Sequence, residues 1–231
     1  MFNRPHHQRI AQVLSLLNAP LLRDHDCLFG GGTAIALRFG EYRESVEMDF
    51  MVSNAANYGT LRALFSGPQG IVPIFIQGQQ LVSQKREVRA DQYGIRTVLA
   101  ISEQPIKLEI ILEGRVALEP PRPKDQICGV ATPTLLDMAT TKLLANSDRW
   151  ADDAVFNRDL IDLAMMQLPE ALMTQAIGKA SVAYGESVAR DLNKAISRML
   201  TRQGWLERCM QSLSITIPKA VIWDRIQSLA P

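Results

Sequence analysis

Two acidic residues, Glu47 and Asp49, stand two positions apart in the sequence. In the segment that contains them, residues 46–52, apolar residues at 46, 48, 50 and 52 alternate with Glu47, Asp49 and Met51. Such alternation predicts a β-strand with both acids on one face, roughly 7 Å apart. Carboxylates held in this way repel each other unless a cation lies between them. Mg²⁺ is commonly held by one or two carboxylates together with substrate phosphates. The pair therefore indicates a metal site acting on phosphates, although a solvated strand face would show the same two acids.

A glycine-rich turn precedes this strand. A short apolar run at residues 27–29 predicts a buried strand, and Gly30, Gly31 and Gly32 interrupt it. Thr33 then stands near the predicted N-cap of a helix that ends before Gly40. Glycines beside a helix N-terminus let a phosphate approach backbone N–H groups closely. A glycine triplet alone is usually only a turn, but joined to the acidic strand it predicts a site for a metal-bound nucleoside triphosphate.

A third acid, Glu109, occurs in a later segment that also has a strand pattern. Lys107, Glu109 and Ile111 share one face of this predicted strand. A third carboxylate on a neighbouring strand would complete a two-metal site for in-line displacement at phosphorus. The neighbouring Lys107 leaves open the simpler interpretation that this face is merely exposed.

Composition excludes several classes of protein. The 231 residues are 47% hydrophobic and 21% charged, with a net charge of +1, which excludes a disordered chain and gives no sign of a generic polyanion binder. The three cysteines are odd in number and follow no metal-ligand spacing, which favours a reducing compartment. We find no signal peptide and no apolar run of membrane-spanning length, so we expect a cytoplasmic protein with no membrane partner.

The pattern of elements changes along the chain. Helical spacing of apolar residues from Ile10 onward predicts an opening helix that ends at about residues 18–20, and further strands are predicted at residues 71–76, 80–88, 93–101 and 106–112. Prolines at 120, 121 and 123 mark a boundary, beyond which the chain is predicted to be helical, including residues 186–212 and 218–229. We therefore predict an α+β protein with a mixed-sheet domain over residues 1–131 and a helical domain over residues 132–231.

Several motifs follow one another in an order typical of a known family. The first are GGTAIAL at residues 31–37, Arg43 in the next loop and SVEMDF at residues 45–50. KLLAN at residues 142–146, Arg149, and RDLIDL at residues 158–163 follow them. From about residue 28 to 166 the chain resembles the AbiEii/AbiGii-type nucleotidyltransferases of the DNA polymerase β-like superfamily. That family usually has Asp where Glu47 and Glu109 stand here.

The resemblance implies a small mixed sheet carrying the acids and a helical domain that closes over the nucleotide. It implies Mg²⁺-dependent transfer of a nucleoside monophosphate from a nucleoside triphosphate, with RNA, notably tRNA, as an acceptor. It also implies the toxin half of a bacterial toxin–antitoxin or phage-defence pair, and hence an antitoxin protein as partner.

The resemblance and the residues together suggest a role for each candidate. Glu47 and Asp49 would hold the metal, and Glu109 would be a second metal ligand or the base that activates an acceptor hydroxyl. Gly31, Gly32 and Thr33 would bind phosphates through backbone N–H groups and one hydroxyl. The nucleotide would also be contacted from the helical part by three residues, Lys142, Arg158 and Asp159, with Asp159 orienting either Lys142 or a nucleotide hydroxyl.

Each of these assignments has a simpler alternative. Lys142 could extend its ammonium to solvent, and Arg158, Asp159 and Asp162 could form a surface charge cluster. At the level of function, a weakened catalytic centre would leave a nucleotide-binding or regulatory module. An aminoglycoside-type transferase acting on a small molecule is a further alternative. An acidic acceptor groove would favour it, whereas a basic groove around Lys85, Arg86, Arg89 and Arg96 would favour RNA.

Overall fold

The computed structural model describes residues 2–229, so Met1, Ala230 and Pro231, the outermost residues of the two predicted domains, lie outside the described residues. The chain forms two compact units. The sheet unit comprises the chain up to Leu37 together with Ser45–Thr134, and the helical unit comprises Arg38–Glu44 together with the chain from Leu135 onward.

A five-stranded mixed sheet forms the centre of the sheet unit. Its strands are β1 (Leu28–Gly30), β2 (Glu47–Val52), β3 (Val82–Ala90), β4 (Gly94–Ile101) and β5 (Gln104–Leu112). They lie in the order β1-β2-β5-β4-β3, with β2 parallel to β5 and the other neighbours antiparallel. Two short strands, β6 (Gln126–Ile127) and β7 (Val130–Ala131), pair separately. The prediction of an α+β protein with a mixed sheet is confirmed.

The alternation predicted for β2 is present in the structure. Met48 and Phe50 are fully buried, whereas Glu47 and Asp49 on the opposite face are half-buried. β4 and β5 form a hairpin through Ser102 and Glu103, whose φ angles of 49° and 60° are those of the tight turn that suits strand twist. The hairpin places β5 between β4 and β2, and so brings Glu109 into the middle of the sheet.

The described part of the sheet unit contains the α-helices α1 (Pro5–Ser15), α2 (Ala19–Asp24), α3 (Gly31–Arg38, whose last residue is assigned to the helical unit) and α4 (Ala55–Ser66). The predicted opening helix ends at Ser15, a few residues before the expected end at residues 18–20. Asn18 accepts a hydrogen bond from the Leu21 N–H and caps the separate helix α2. The strand predicted at residues 71–76 is wrong. This apolar run contains a 3₁₀ turn, Val72–Ile74, because Pro73 has no N–H to give to a strand ladder.

The helical unit contains α5 (Leu135–Arg149), α6 (Arg158–Met166), α7 (Glu170–Tyr184), α8 (Ser187–Thr201), α9 (Trp205–Ser212) and α10 (Lys219–Gln227). The helix predicted over residues 186–212 is two helices, since Gly204 takes a left-handed φ of 71° before α9. Within residues 2–229, no helix combines the length and apolarity that spanning a bilayer requires.

Candidate active site

The three predicted acids lie on one face of the sheet. In the parallel pairing of β2 with β5, Asp49 is directly opposite Glu109, and Glu47 is opposite Lys107. Neighbouring strands are about 4.8 Å apart, so opposite residues are nearest neighbours across the ladder. The fold therefore brings together Glu47, Asp49 and Glu109, which are as much as 62 positions apart in the chain.

The glycine turn lies against the second of these acids. Gly30 on β1 is the register partner of Asp49, and α3 begins at the next residue, Gly31. Gly31 has a φ of +66°, and a Cβ at this position would lie 2.5 Å from Asp49 Oδ2. Only glycine fits this conformation and this space. The first N–H groups of a helix have no acceptor within the helix, so the start of α3 places such N–H groups close to Asp49.

Thr33 lies near the N-terminus of α3, as predicted. It is the third residue of the helix, because Gly31 turns directly into it. Its fully buried hydroxyl oxygen lies 2.7 Å from Ser45 Oγ and 2.5 Å from the Glu47 carbonyl oxygen. In this conformation the Thr33 hydroxyl holds α3 to the start of β2.

Two cations accompany the acids. Lys107 Nζ lies 2.8 Å from Glu47 Oε1, and Arg96 Nε lies 2.6 Å from Glu109 Oε1. The hydrogen bond and charge of Glu47 raise the pKa of Lys107 above its usual value. Sequence reasoning missed both pairs, because they depend on which strands are neighbours in the sheet. In the described part of the chain no three His, Cys, Asp or Glu side chains are arranged to hold a metal ion, and so the predicted three-carboxylate cluster is not formed in this conformation.

A second charged cluster is buried in the helical unit and includes two further candidates, Lys142 and Asp159. Lys142 is only 6% exposed, and its Nζ lies 2.8 Å from Asp159 Oδ1 and 2.8 Å from Asp162 Oδ2. Arg149 makes a bidentate contact with Asp159 at 2.7 and 3.0 Å. The solvent-directed lysine and the surface charge cluster are therefore wrong as interpretations. Arg158, the remaining candidate, is the half-buried first residue of α6.

Asp162 is the most enclosed member of this cluster and was not a predicted site residue. Arg43 donates to it from Nε at 2.7 Å and from Nη2 at 2.9 Å, and the Tyr42 hydroxyl donates at 2.5 Å. Burial alone would raise the pKa of Asp162, but the charges of Arg43 and Lys142 outweigh it and lower the pKa. The sequence signal was Arg43 itself, which the family resemblance included without a role.

A comparison with protein families shows to which family the chain belongs. The model of the family described as nucleotidyl transferase AbiEii toxin, type IV toxin–antitoxin system, matches residues 15–220. The chain belongs to the AbiEii nucleotidyltransferase toxin family. This membership places it in a class of nucleotidyltransferases that act as toxins.

Solved structures similar to this AbiEii-family chain are distant. JHP933 from Helicobacter pylori is 16% identical, with 100% of this chain and 94% of that chain covered and a TM-score of 0.49. MenT4, a nucleotidyltransferase toxin from Mycobacterium tuberculosis, is 15% identical, with 94% and 80% covered and a TM-score of 0.45. No curated protein shows significant sequence similarity to the chain.

The acids of this AbiEii-family chain can be tested for their fit to Mg²⁺. Asp49 supplies carboxylate oxygens beside the helix start, and Glu47 and Glu109 stand next to it on the same face. Mg²⁺ takes oxygen ligands and usually retains waters or phosphates alongside one or two carboxylates. The donor chemistry therefore fits one Mg²⁺ completed by phosphates better than an all-protein cage.

The buried cluster of the AbiEii-family chain predicts a particular acid sensitivity. Burial alone would raise the pKa of Asp159, but Lys142 and Arg149 lower it well below its usual range. A carboxyl with a depressed folded-state pKa stabilises the protein above its unfolded pKa, about 3.9, and loses that contribution as pH falls through the folded value. We expect urea midpoints of the wild type to fall as the pH is lowered from about 5 to about 2, and those of Asp159→Asn to fall less. Equal slopes in the two proteins would contradict this prediction.

Proposed function

We propose that the protein transfers a nucleoside monophosphate from a nucleoside triphosphate to an acceptor hydroxyl in a Mg²⁺-dependent reaction. The observation that supports this most is the contact of Gly31, at the start of α3, with the Asp49 carboxylate. It puts the N–H groups of a helix start, which suit phosphates, next to a carboxylate, which suits the metal bound to them. The acceptor oxygen would form a bond to the α-phosphorus, and pyrophosphate would leave with the electrons of the broken P–O bond.

Each candidate residue other than Thr33, whose hydroxyl holds α3 to the start of β2, has a role in this proposal. The N–H groups of Gly31 and Gly32 would bind phosphate oxygens, while Asp49 and Glu47 would hold Mg²⁺. When bound, that ion would neutralise charge on the phosphates. Glu109 would take the proton of the acceptor hydroxyl, because it lies opposite Asp49.

Lys142 would supply positive charge toward the nucleotide with Asp159 orienting it, and Arg158 would be a further phosphate contact.

RNA, in particular tRNA, is our proposed acceptor, and a groove beside the acids supports it. A cavity of about 490 Å³ on the sheet unit is lined by four cationic side chains and two carboxylates. The cations are Arg86, Arg89, Arg96 and Lys107, and the carboxylates are Glu87 and Glu109. Lys85 does not line the cavity and pairs with Glu103 instead. The excess of positive charge favours a phosphate backbone over a cationic small molecule.

The experiment that tests this function is an incubation of the purified protein with each α-³²P-labelled triphosphate, Mg²⁺ and total tRNA. A Glu47→Ala/Asp49→Ala double variant serves as the control. Label on RNA with the wild type and none with the double variant would support the proposal and identify the nucleotide. Nucleotide binding without transfer to RNA or any other acceptor would reject the transferase.

A catalytically weakened module is the second candidate, and the ion pairs at Glu47 and Glu109 favour it. Glu47→Asp separates the two functions. If the site is built around the length of the Glu47 side chain, aspartate would displace the carboxylate by about one bond. A misplacement of about 1 Å can lower the rate on the order of 100-fold. We therefore expect Glu47→Asp to lower transfer by roughly 10- to 100-fold in a single-turnover assay. A rise in transfer would instead indicate a centre weakened by glutamate.

Two further proposals follow from family membership. We propose an antitoxin protein as partner, because a toxin of a two-component system must be restrained in its own cell.

We also propose a cytoplasmic location, in keeping with the free thiols of Cys27, Cys128 and Cys209. Fractionation of cells that express the chain at low level would test the location.

A further inference from the structure

Residues Arg38–Glu44, here called the connector, begin at the last residue of α3 and lead through Ser45 and Val46 to β2. They therefore lie between the glycine turn and the acidic strand. The connector is assigned to the helical unit, although the chain on either side of it belongs to the sheet unit. Two of its side chains, Tyr42 and Arg43, are 1% and 3% exposed, which is unusual for a loop.

The connector is held by side-chain and backbone contacts within the helical unit. Arg43 makes the bidentate pair with Asp162, and Tyr42 donates to the same carboxylate. In the backbone, the Glu44 N–H donates to the Leu213 carbonyl at 3.0 Å, and the Thr216 N–H donates to the Tyr42 carbonyl at 3.4 Å. A guanidinium that donates to both oxygens of a carboxylate fixes the direction of the contact as well as its distance. The connector is therefore rigidly attached to the helical unit.

Beyond the connector, the chain is held again at once. The Ser45 N–H donates to His7 Nε2 at 3.2 Å, and His6 Nε2 lies 3.0 Å from the Val46 carbonyl oxygen. Thr33 then contacts the Glu47 carbonyl. Only four positions separate Arg43 from Glu47, and extended chain spans at most about 3.3–3.6 Å per residue. Because so few residues intervene, we expect a shift of Arg43 to be passed on to the start of β2.

We infer that Arg43, Tyr42 and Asp162 are positioning residues for the acidic strand: they hold the connector in one conformation and thereby set the placement of Glu47 and Asp49. The catalytic part of this inference rests on the proposed function. Phosphoryl transfer depends almost entirely on positioning and electrostatics, so small displacements of these acids have large effects on rate. None of the three residues needs to touch the substrate for this role.

The test compares Arg43→Lys, which keeps the positive charge but removes the bidentate contact with Asp162, with Asp137→Asn. Asp137 is a fully buried carboxylate of the same unit, paired with Lys179 at 2.5 Å, and so provides a matched loss of a buried ion pair. Urea brings wild type and variants to equal global stability, and hydrogen exchange is then measured at the amides of residues 44–49. We expect exchange there to be about tenfold faster in Arg43→Lys and unchanged in Asp137→Asn.

In the transfer assay, we expect Arg43→Lys to lower kcat by roughly 10- to 100-fold with little change in the KM for nucleotide. If Arg43→Lys does not fold, Tyr42→Phe carries the same test, because it removes one hydrogen bond and keeps the ion pair. Unchanged exchange at residues 44–49, or equal changes in Asp137→Asn, would overturn the positioning role. Altered exchange together with a wild type that transfers no nucleotide would reject the proposed function and leave the attachment of the connector intact.

Discussion

Asp49→Asn is expected to reduce nucleotidyl transfer by on the order of a thousandfold, since charge stabilisation by a bound metal contributes several kcal/mol and each 1.4 kcal/mol is a factor of ten. Asp49 is the acid placed between the glycine turn and Glu109. The amide preserves size but supplies a much weaker ligand for Mg²⁺. Single-turnover transfer at saturating Mg²⁺ is the measurement.

A matched variant separates this effect from a general loss of negative charge. Glu103→Gln removes a carboxylate from the same unit, at the exposed β4–β5 turn, where it pairs with Lys85. We expect wild-type transfer from it. If Asp49→Asn retained activity within about tenfold of the wild type, Asp49 would not be the metal ligand, and the proposed site would be wrong.

Asp162→Asn is expected to cost about 3–5 kcal/mol of stability, because it leaves Arg43 buried without its counter-ion and leaves Lys142 with Asp159 alone. Breaking a buried pair costs this much since the remaining charge can be neither solvated nor paired. For a chain of this size the thermal midpoint should fall by roughly 10 °C. Calorimetry or urea unfolding measures the change directly.

Asp153→Asn is the control for this prediction. Asp153 also contacts two arginines, Arg198 and Arg202, but its side chain is 46% exposed. Water replaces the lost contacts there, so we expect only a small fraction of the Asp162→Asn effect. Similar losses in the two variants would show that burial of the cluster contributes little.

Local patterns were sufficient for much of the sheet unit. The alternation in residues 46–52 predicted β2 and the shared face of Glu47 and Asp49, because side chains on a strand have a period of two. Where a proline interrupts an apolar run, the same kind of pattern gave a wrong strand prediction. The apolar run at residues 71–76 has the composition of a strand, but Pro73 removes a ladder donor and the run forms a partly buried turn.

By itself, the sequence determined the fold class, the family and the candidate acids, since strand periodicity, glycine turns and short motifs are local properties. The tertiary structure alone decided three matters: that Glu109 lies opposite Asp49, that Arg96 and Lys107 pair with the acids, and that Arg43 reaches Asp162. Each depends on strand order or on contacts between residues far apart in the chain. Such contacts follow from how the whole chain packs, and no local pattern encodes them.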